Sequence, residues 1–489
     1  MLIFPAFGSL FYFVWILCGI IAPVCIPPDK LKIPSPLKLA VFALAILAGP
    51  IVPVVALAIQ GCRQLANFKQ LEAERKEQQK LNDIVLENAN GMFVTDNNSA
   101  DNCAINTVKR LILQGFERHA SDIFLDPIQN GACQVRMRID GTLRKTCTID
   151  LTIARTVESA LKVIAGMDIT ERRRPQDGAF SAKINGETIS FRVASVGAHA
   201  GEKISIRILG AASGPRTIDE LGLSKEDYDI ISQAIKLPSG MVLMCGPTGS
   251  GKTSTLYAML KSIDYNVKNV MSIEDPVENI MPEISQMEVN TKAGITFAAL
   301  LRNALRQNPD IICLGEIRDE ETAEIAVQAA QTGHLIIATV HSNDNLGTVD
   351  RLQNLGIPLR TIAATLHIII SQRLIRTLCP HCKQKSQISP ELARYFAQAN
   401  LQTENIYIPH GCPQCDGTGY AGRRAIFDIM VVNHQLRNLL ESDTATIATI
   451  QNYIEKEHGS SMMAYKGYQL VAQGISSVEE VNRIVLDLE

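Results

Sequence analysis

The residues with the clearest chemistry lie in the stretch GPTGSGKTS at 246–254. It fits the pattern G-x-x-x-x-G-K-T, between an apolar run of strand length and a helix-prone run. Glycines let successive backbone N–H groups point at phosphate oxygens where a helix begins. The lysine of such a loop meets the β- and γ-phosphates, and the hydroxyl after it binds Mg²⁺. We therefore predict a nucleotide site at Gly246, Pro247, Thr248, Gly249, Ser250, Gly251, Lys252, Thr253 and Ser254.

Acidic residues end two later apolar runs, at distances suited to other strands of the same sheet. Glu274 ends the first run and Glu316 ends the second. Nucleotide hydrolysis needs a carboxylate near Mg²⁺ and another group to orient or deprotonate the attacking water. We predict Glu274 as the base and Glu316 as a metal- or water-positioning group. His341, which follows a third apolar run, is predicted to sense the γ-phosphate. If neither carboxylate took part in hydrolysis, the protein would instead be a non-hydrolysing nucleotide-binding scaffold.

Four of the twelve cysteines are paired by spacing, in CPHC at 379–382 and CPQC at 412–415. Two C-x-x-C pairs at this separation suit one tetrahedral Zn²⁺. The alternatives are a redox dithiol, which needs only one pair, and free buried thiols. We predict structural Zn²⁺ bound by Cys379, Cys382, Cys412 and Cys415. The remaining cysteines are isolated, which favours a reducing compartment.

Short apolar runs alternate with helix-prone runs from residue 217 onward, a pattern typical of an α/β domain with a parallel sheet covered on both faces. We predict this ATPase domain at 217–375, the tetracysteine subdomain at 376–424 and a helical region at 425–489. Upstream, 95–210 mixes one long helix with short strands and the Asp-Gly hairpin signal of RIDGTL. That composition indicates a separate α+β domain, joined by a small-residue linker at 211–216.

The first 62 residues contain two uncharged stretches, 2–28 and 39–62. About 20 apolar residues span a bilayer as a helix, so we predict two transmembrane helices, followed by a helical stalk at 63–94. A cleaved signal peptide is the alternative for the first stretch. Two spans predict a multi-pass membrane protein, anchored by these helices, with its ATPase domain in the cytoplasm.

The net charge is −3 and the chain has one tryptophan. Nucleic-acid binding needs a basic surface and, for single strands, stacking aromatics. We therefore expect no nucleic-acid partner, although a translocase or helicase on a related core is the second function class to test.

Several segments together resemble the ATPases of type II secretion and type IV pilus assembly. They include GPTGSGKTSTLYAML, SIEDPVE, DIICLGEIRD, TGHLIIATVHSND and QRLIRTLCPHC, preceded by HASDIFLDP and DITERRRPQDGAF. The resemblance covers about 95–430. It implies a RecA-like P-loop domain behind a PAS-like α+β domain, with ATP, Mg²⁺ and Zn²⁺ as cofactors. It also implies a homohexameric motor acting on an inner-membrane platform protein.

The resemblance adds two candidate catalytic residues outside the P-loop domain. Arg192 in FRVASV and Arg207 in SIRIL match arginines that reach the nucleotide as the family's two domains close. This chain departs from the family at Phe124, Asp126 and Gly197, where His, Glu and Pro are usual. At its front end it carries two apolar stretches in place of a docking domain. The cysteine quartet favours an assembly or secretion motor over a retraction motor.

Overall fold

A computed structural model of the chain describes residues 75, 78–89, 91–94, 99–129, 131–210, 217–442, 445–458 and 462–486. The chain divides into two units, 1–85 and 86–489. The second unit contains two seven-stranded sheets. The predicted linker at 211–216 lies outside the described residues, and the predicted domain boundaries stay predictions.

The first sheet has the strand order β1-β5-β6-β7-β2-β3-β4, and the pairs from β5 to β4 are antiparallel. Its elements are β1 (Val85–Glu87), α1 (Ser99–Glu117), β2 (Ala120–Ile128), β3 (Ala132–Ile139), β4 (Thr142–Asp150), α2 (Leu151–Ile164), β5 (Gln176–Ile184), β6 (Glu187–Ala198) and β7 (Gly201–Leu209).

Apolar and polar residues alternate along these strands, so the sheet has one buried face and one polar face. In β3, Cys133, Val135 and Met137 are fully buried, while Arg136 and Arg138 alternate with them. Successive strand side chains point to opposite faces, so the arginines of neighbouring strands collect on the other face. The hairpin between β3 and β4 turns at Asp140–Gly141, both with positive φ, as the Asp-Gly signal predicted.

The second sheet has the order β10-β9-β11-β12-β8-β13-β16, and all its pairs are parallel except β13 with β16. Its strands are β8 (Gly240–Cys245), β9 (Val270–Glu274), β10 (Ser285–Glu288), β11 (Ile311–Ile317), β12 (Leu335–Val340), β13 (Leu366–Leu378) and β16 (Tyr420–Val431). Its helices are α3 (Lys225–Ala234), α4 (Lys252–Lys261), α5 (Phe297–Leu305), α6 (Glu320–Gln331), α7 (Asn345–Asn354) and α8 (Leu359–Thr365).

Two apolar clusters cover the two faces of this sheet. Every residue of β8 and of β12 is buried, as expected for central strands of a parallel sheet. The carboxyl ends of β8, β9, β11 and β12 therefore lie at one edge, which is where open α/β sheets bind ligands.

The last part of the chain comprises β14 (Gln384–Lys385), α9 (Pro390–Gln398), β15 (Tyr407–Ile408), α10 (His434–Glu441), α11 (Ile447–His458), α12 (Met462–Ala472) and α13 (Val478–Leu486). Of these helices, α9, α12 and α13 pack around the far end of β13, whereas α10 and α11 pack onto the first apolar cluster, beside α8 and α7. A third apolar cluster includes Ile375, Phe396 and Val481. Glu480, which is fully buried, accepts hydrogen bonds from Arg376 at 2.6 Å and from Arg483 at 2.7 Å. This pairing fixes α13 against β13.

The predicted multi-pass membrane localisation needs correction. Within the described ranges, no helix has both the length and the apolar character that crossing a bilayer requires. The longest of those helices, α1, has 19 residues and carries Lys109, Arg110 and Glu117. The two stretches on which the prediction depended, 2–28 and 39–62, lie outside the described residues.

Candidate functional site

The predicted phosphate loop joins β8 to α4 at the carboxyl edge of the second sheet. Gly246, Gly249 and Gly251 all have positive φ, at 143°, 78° and 91°. A Cβ on Gly246 would lie 2.5 Å from the Gln372 carbonyl oxygen, and one on Gly251 would lie 2.8 Å from Gln372 Nε2. Side chains at these positions would therefore displace the loop, which explains why glycine occupies them.

The polar groups of this loop fit a bound phosphate. Lys252 donates to the carbonyl oxygens of Gly246, at 2.7 Å, and Pro247, at 3.2 Å. Ser250 is buried, and its Oγ has no hydrogen-bond partner among the described residues. Thr253, half-buried, directly follows the lysine. Together with the N-terminus of α4, these residues could hold the phosphates and Mg²⁺ of a nucleotide.

Glu316 lies at the end of β11 and contacts two cationic or titratable partners. Its carboxylate pairs with the Arg318 guanidinium, and its Oε2 lies 2.9 Å from His341 Nε2. Burial alone would raise the pKa of Glu316, but Arg318 and His341 hold it below its ordinary value. Burial lowers the pKa of Lys252, and the charge of Glu316 opposes this effect. Glu316 thus lies within electrostatic reach of the phosphate loop, as an ionised carboxylate.

Glu274 occupies a different environment, although β9 adjoins β11. It is 4% exposed, and its carboxylate accepts hydrogen bonds from the Tyr257 hydroxyl, from Ser272 Oγ at 2.6 Å and from Gln286 Nε2 at 3.1 Å. Tyr257 also accepts a hydrogen bond from the backbone of Asn279 at 3.1 Å. Both carboxylate oxygens are therefore engaged inside the protein, by side chains of α4, of β9 itself and of β10.

The two candidate arginines of the first sheet are direct neighbours. Arg192 on β6 pairs in register with Arg207 on β7, and Arg207 pairs with Asp122 on β2. Arg207 Nε lies 3.1 Å from Asp122 Oδ1. Desolvation and the charge of Glu274 raise the pKa of Glu278, while Arg207 and Arg192 act against this. Both exposed arginines therefore lie within electrostatic reach of the SIEDPVE segment of the second sheet.

Sequence reasoning gave no role to Tyr257, Gln372 and Arg373, which nevertheless border the site. Gln372 and Arg373 are 2% and 6% exposed, and both contact the phosphate loop. A polar pair inside the long apolar run that forms β13 was a usable sequence signal. No comparable signal identifies Tyr257, because a tyrosine within an apolar helix is ordinary.

The four predicted zinc ligands come together beside the end of β13. Their Sγ atoms lie within 4.8 Å of one another. The distances are 3.8 Å from Cys379 to Cys412, 3.8 Å from Cys382 to Cys415 and 3.7 Å from Cys412 to Cys415. Zn²⁺ with four sulfur ligands at about 2.3 Å has sulfurs about 3.8 Å apart. The cluster could therefore hold one metal ion.

Backbone N–H groups support thiolates in this cluster. Gly411 donates to Cys382 Sγ at 3.3 Å, and Gly419 donates to Cys415 Sγ at 3.2 Å. Donors of this kind favour the charged form of a thiol, which is the form that binds metals.

Metal analysis of purified protein should find about one Zn²⁺ per chain. Cys379→Ser should release it and increase hydrogen exchange across 376–424, because the metal joins the two C-x-x-C pairs of this segment. Nucleotide binding should remain. Cys103, an isolated exposed thiol, gives the matched control Cys103→Ser, which should retain the metal. Protein purified without chelators that contains no metal would contradict this prediction.

Comparison with known proteins gives the family. The profile of the Type II/IV secretion system protein family matches residues 97–483. The type IV pilus assembly ATPase PilB of Thermus thermophilus is 41% identical over 376 residues, covering 76% of this chain and 42% of that protein. The type II secretion system ATPase E of Vibrio cholerae is 36% identical over 382 residues, covering 78% of this chain and 75% of that protein.

Solved structures agree on the fold. The X-ray structure of the Legionella pneumophila ATPase DotB has a TM-score of 0.59 at 22% identity, covering 78% of this chain and 95% of that one. This likeness shows the α/β ATPase fold. The sequence matches confirm, at the level of the family, the prediction of a secretion or pilus ATPase, for which ATP and Mg²⁺ are the implied cofactors. With residues 97–483 matched by its profile, the chain belongs to the Type II/IV secretion system protein family.

Proposed function

We propose that this chain hydrolyses ATP as a homohexameric motor for type II secretion pseudopilus or type IV pilus assembly, working on an inner-membrane platform protein. The catalytic part of this proposal depends on one observation. An ionised Glu316, whose Oε2 lies 2.9 Å from His341 Nε2, is within electrostatic reach of Lys252 in the phosphate loop. The names of the relatives, a pilus assembly ATPase and a secretion ATPase, support the machine.

Within the loop, Lys252 binds the terminal phosphates, and the hydroxyl of Thr253 ligates the metal. A Mg²⁺ ion held there would neutralise part of the charge of the phosphates. From the sequence we predicted Glu274 as the catalytic base. We assign the role of activating water to Glu316 instead, because both oxygens of Glu274 accept internal hydrogen bonds. Glu274 then anchors the SIEDPVE segment, and His341 orients Glu316 toward the γ-phosphate.

Arg192 and Arg207 act from the first sheet on the transferring phosphoryl group. Like charges in directly paired positions destabilise a sheet, and Arg192 and Arg207 are direct cross-strand neighbours. An anion approaching both side chains would relieve that repulsion. The triphosphate of a nucleotide bound between the two sheets is such an anion. Its presence therefore favours movement of the first sheet toward the second.

The four cysteines hold structural Zn²⁺ in this proposal. Their spacing of 3.7–3.8 Å suits that ion, and the cluster begins directly after β13.

The proposed ring predicts how turnover depends on protein concentration. ATP hydrolysis per chain should rise across the range in which light scattering detects hexamers, because a productive site needs both sheets held by the ring. Single-stranded DNA should leave turnover unchanged. Constant turnover per chain across the assembly range would contradict the ring, and strong stimulation by DNA would instead favour a nucleic-acid translocase.

A further inference from the structure

A buried arginine lies between the phosphate loop and the segment that carries His341. Arg373, on β13, is 6% exposed. Its Nη1 donates to the Gln372 carbonyl at 3.2 Å, and its Nη2 donates to the Asn343 carbonyl at 2.6 Å. On its other side, a Cβ built on Gly246 would lie 3.3 Å from Nη1. One guanidinium thus lies beside the first glycine of the loop and donates a hydrogen bond to the segment after β12.

The neighbouring residue, Gln372, borders the second half of the loop. Gln372 is 2% exposed, and its Nε2 lies beside Gly251, at 2.8 Å from where a Cβ would be. Its Oε1 is buried and, like Ser250 Oγ, finds no hydrogen-bond partner in the part of the chain that the structure describes. Two adjacent residues of β13 therefore lie under both ends of the phosphate loop.

Burying a guanidinium here needs a compensating gain. A buried charge is costly unless it is hydrogen-bonded or paired, and Arg373 also opposes the positive charge of Lys252. A neutral side chain would avoid that repulsion. What only a planar guanidinium provides is two fixed donor directions at once. Here one donates to the Gln372 carbonyl of β13, against which Gly246 lies, and the other donates to the Asn343 carbonyl.

We infer that Arg373 is a positioning residue that holds the phosphate loop and the His341 segment at a fixed separation. This inference depends on the proposed function, because it assigns Arg373 to the geometry of that reaction. His341 contacts Glu316, so the separation that Arg373 sets also determines how far Glu316 lies from the phosphates. Nothing in this role requires Arg373 to touch the nucleotide.

The test compares Arg373→Lys and Arg373→Gln with wild-type full-length protein. Lysine keeps the charge but has one nitrogen, so it cannot reach both carbonyls with fork geometry. Hydrogen exchange without nucleotide should increase about tenfold, the effect of losing one charged hydrogen bond, in both 246–251 and 340–344. With ATP, Arg373→Lys should lower kcat about 10²-fold, the effect of a displacement of about 1 Å, with KM within about threefold of wild type.

The control is Arg394→Gln, which removes an exposed arginine of α9, far along the chain from either segment. It should leave exchange and kcat as in wild type. Wild-type kcat and exchange in Arg373→Lys would mean that charge alone matters, and would overturn the inference. Faster exchange throughout the chain, with a lower melting temperature, would assign Arg373 a general structural role and also overturn it. A wild-type protein without ATPase activity would count against the proposed function, while the exchange measurement would still decide the role of Arg373.

Discussion

Glu316→Gln is expected to lower ATP turnover about 10²–10⁴-fold, the usual contribution of a general base. Glutamine keeps the size of the side chain and its contact with His341, but it cannot accept a proton from water. Nucleotide binding should persist, because Lys252 and the loop remain. Steady-state phosphate release and binding of a fluorescent nucleotide measure the two effects separately.

The matched control is Glu274→Gln, which makes the same chemical change on the neighbouring strand. Its carboxylate accepts from Tyr257, Ser272 and Gln286. Removing its charge should lower stability and affect turnover far less than Glu316→Gln does. If Glu274→Gln lowered turnover more than Glu316→Gln did, Glu274 would be the base and our assignment would be wrong.

The pH dependence follows from the same contacts. Arg318 and His341 hold the pKa of Glu316 below its ordinary value, against the effect of burial. A base with a lowered pKa is ionised above that pKa and is lost only as the pH falls through it. Turnover should therefore show no acid limb from Glu316 between about pH 6 and 8.

Arg192→Ala and Arg207→Ala are each expected to lower turnover about 10³-fold, the lower end of the effect of an arginine finger. Nucleotide affinity should stay within about tenfold, or ~1.4 kcal/mol, because these side chains act chiefly on charge in the transition state. Both lie within electrostatic reach of Glu278. Single-turnover kinetics with separately measured affinity distinguishes the two quantities.

Arg138→Ala is the control for this pair. Arg138 on β3 shares Asp122 with Arg207, at 3.4 Å from Asp122 Oδ2, and pairs in register with that residue. Its strand, β3, lies two strands further from β6 than β7 does. Its loss should disturb Asp122 similarly while sparing turnover. Equal losses in all three variants would mean that the sheet face acts through its total charge, and unchanged turnover in Arg192→Ala and Arg207→Ala would exclude fingers altogether.

Local patterns in the sequence predicted the parts of the site that consecutive residues build. The phosphate loop follows from glycine and lysine spacing, and the cysteine cluster follows from two C-x-x-C pairs. The buried runs that became β8 and β12 were also recognisable, because fully covered strands are continuously apolar. The order of those strands could not be predicted, because no short stretch of sequence specifies that β12 lies between β11 and β8.

The roles of the two glutamates could not be separated from sequence for a related reason. Glu274 and Glu316 both end apolar runs, and their difference depends on partners distant in the chain. Tyr257 and Gln286 engage Glu274, whereas His341 contacts Glu316. Arg373 was missed in the same way, because its acceptor at Asn343 belongs to another strand connection. The membrane prediction used composition alone, and no described helix supports it.

ATP hydrolysis at the phosphate loop is the activity on which the proposed function of this chain depends. The most direct measurement is phosphate release from ATP and Mg²⁺ by purified full-length protein, beside Lys252→Ala purified identically. Wild-type protein should release phosphate steadily, and the variant should release it about 10²–10³-fold more slowly, as for removal of one group that stabilises transition-state charge. Equal release by both proteins, or none by wild-type hexamers, would contradict the account.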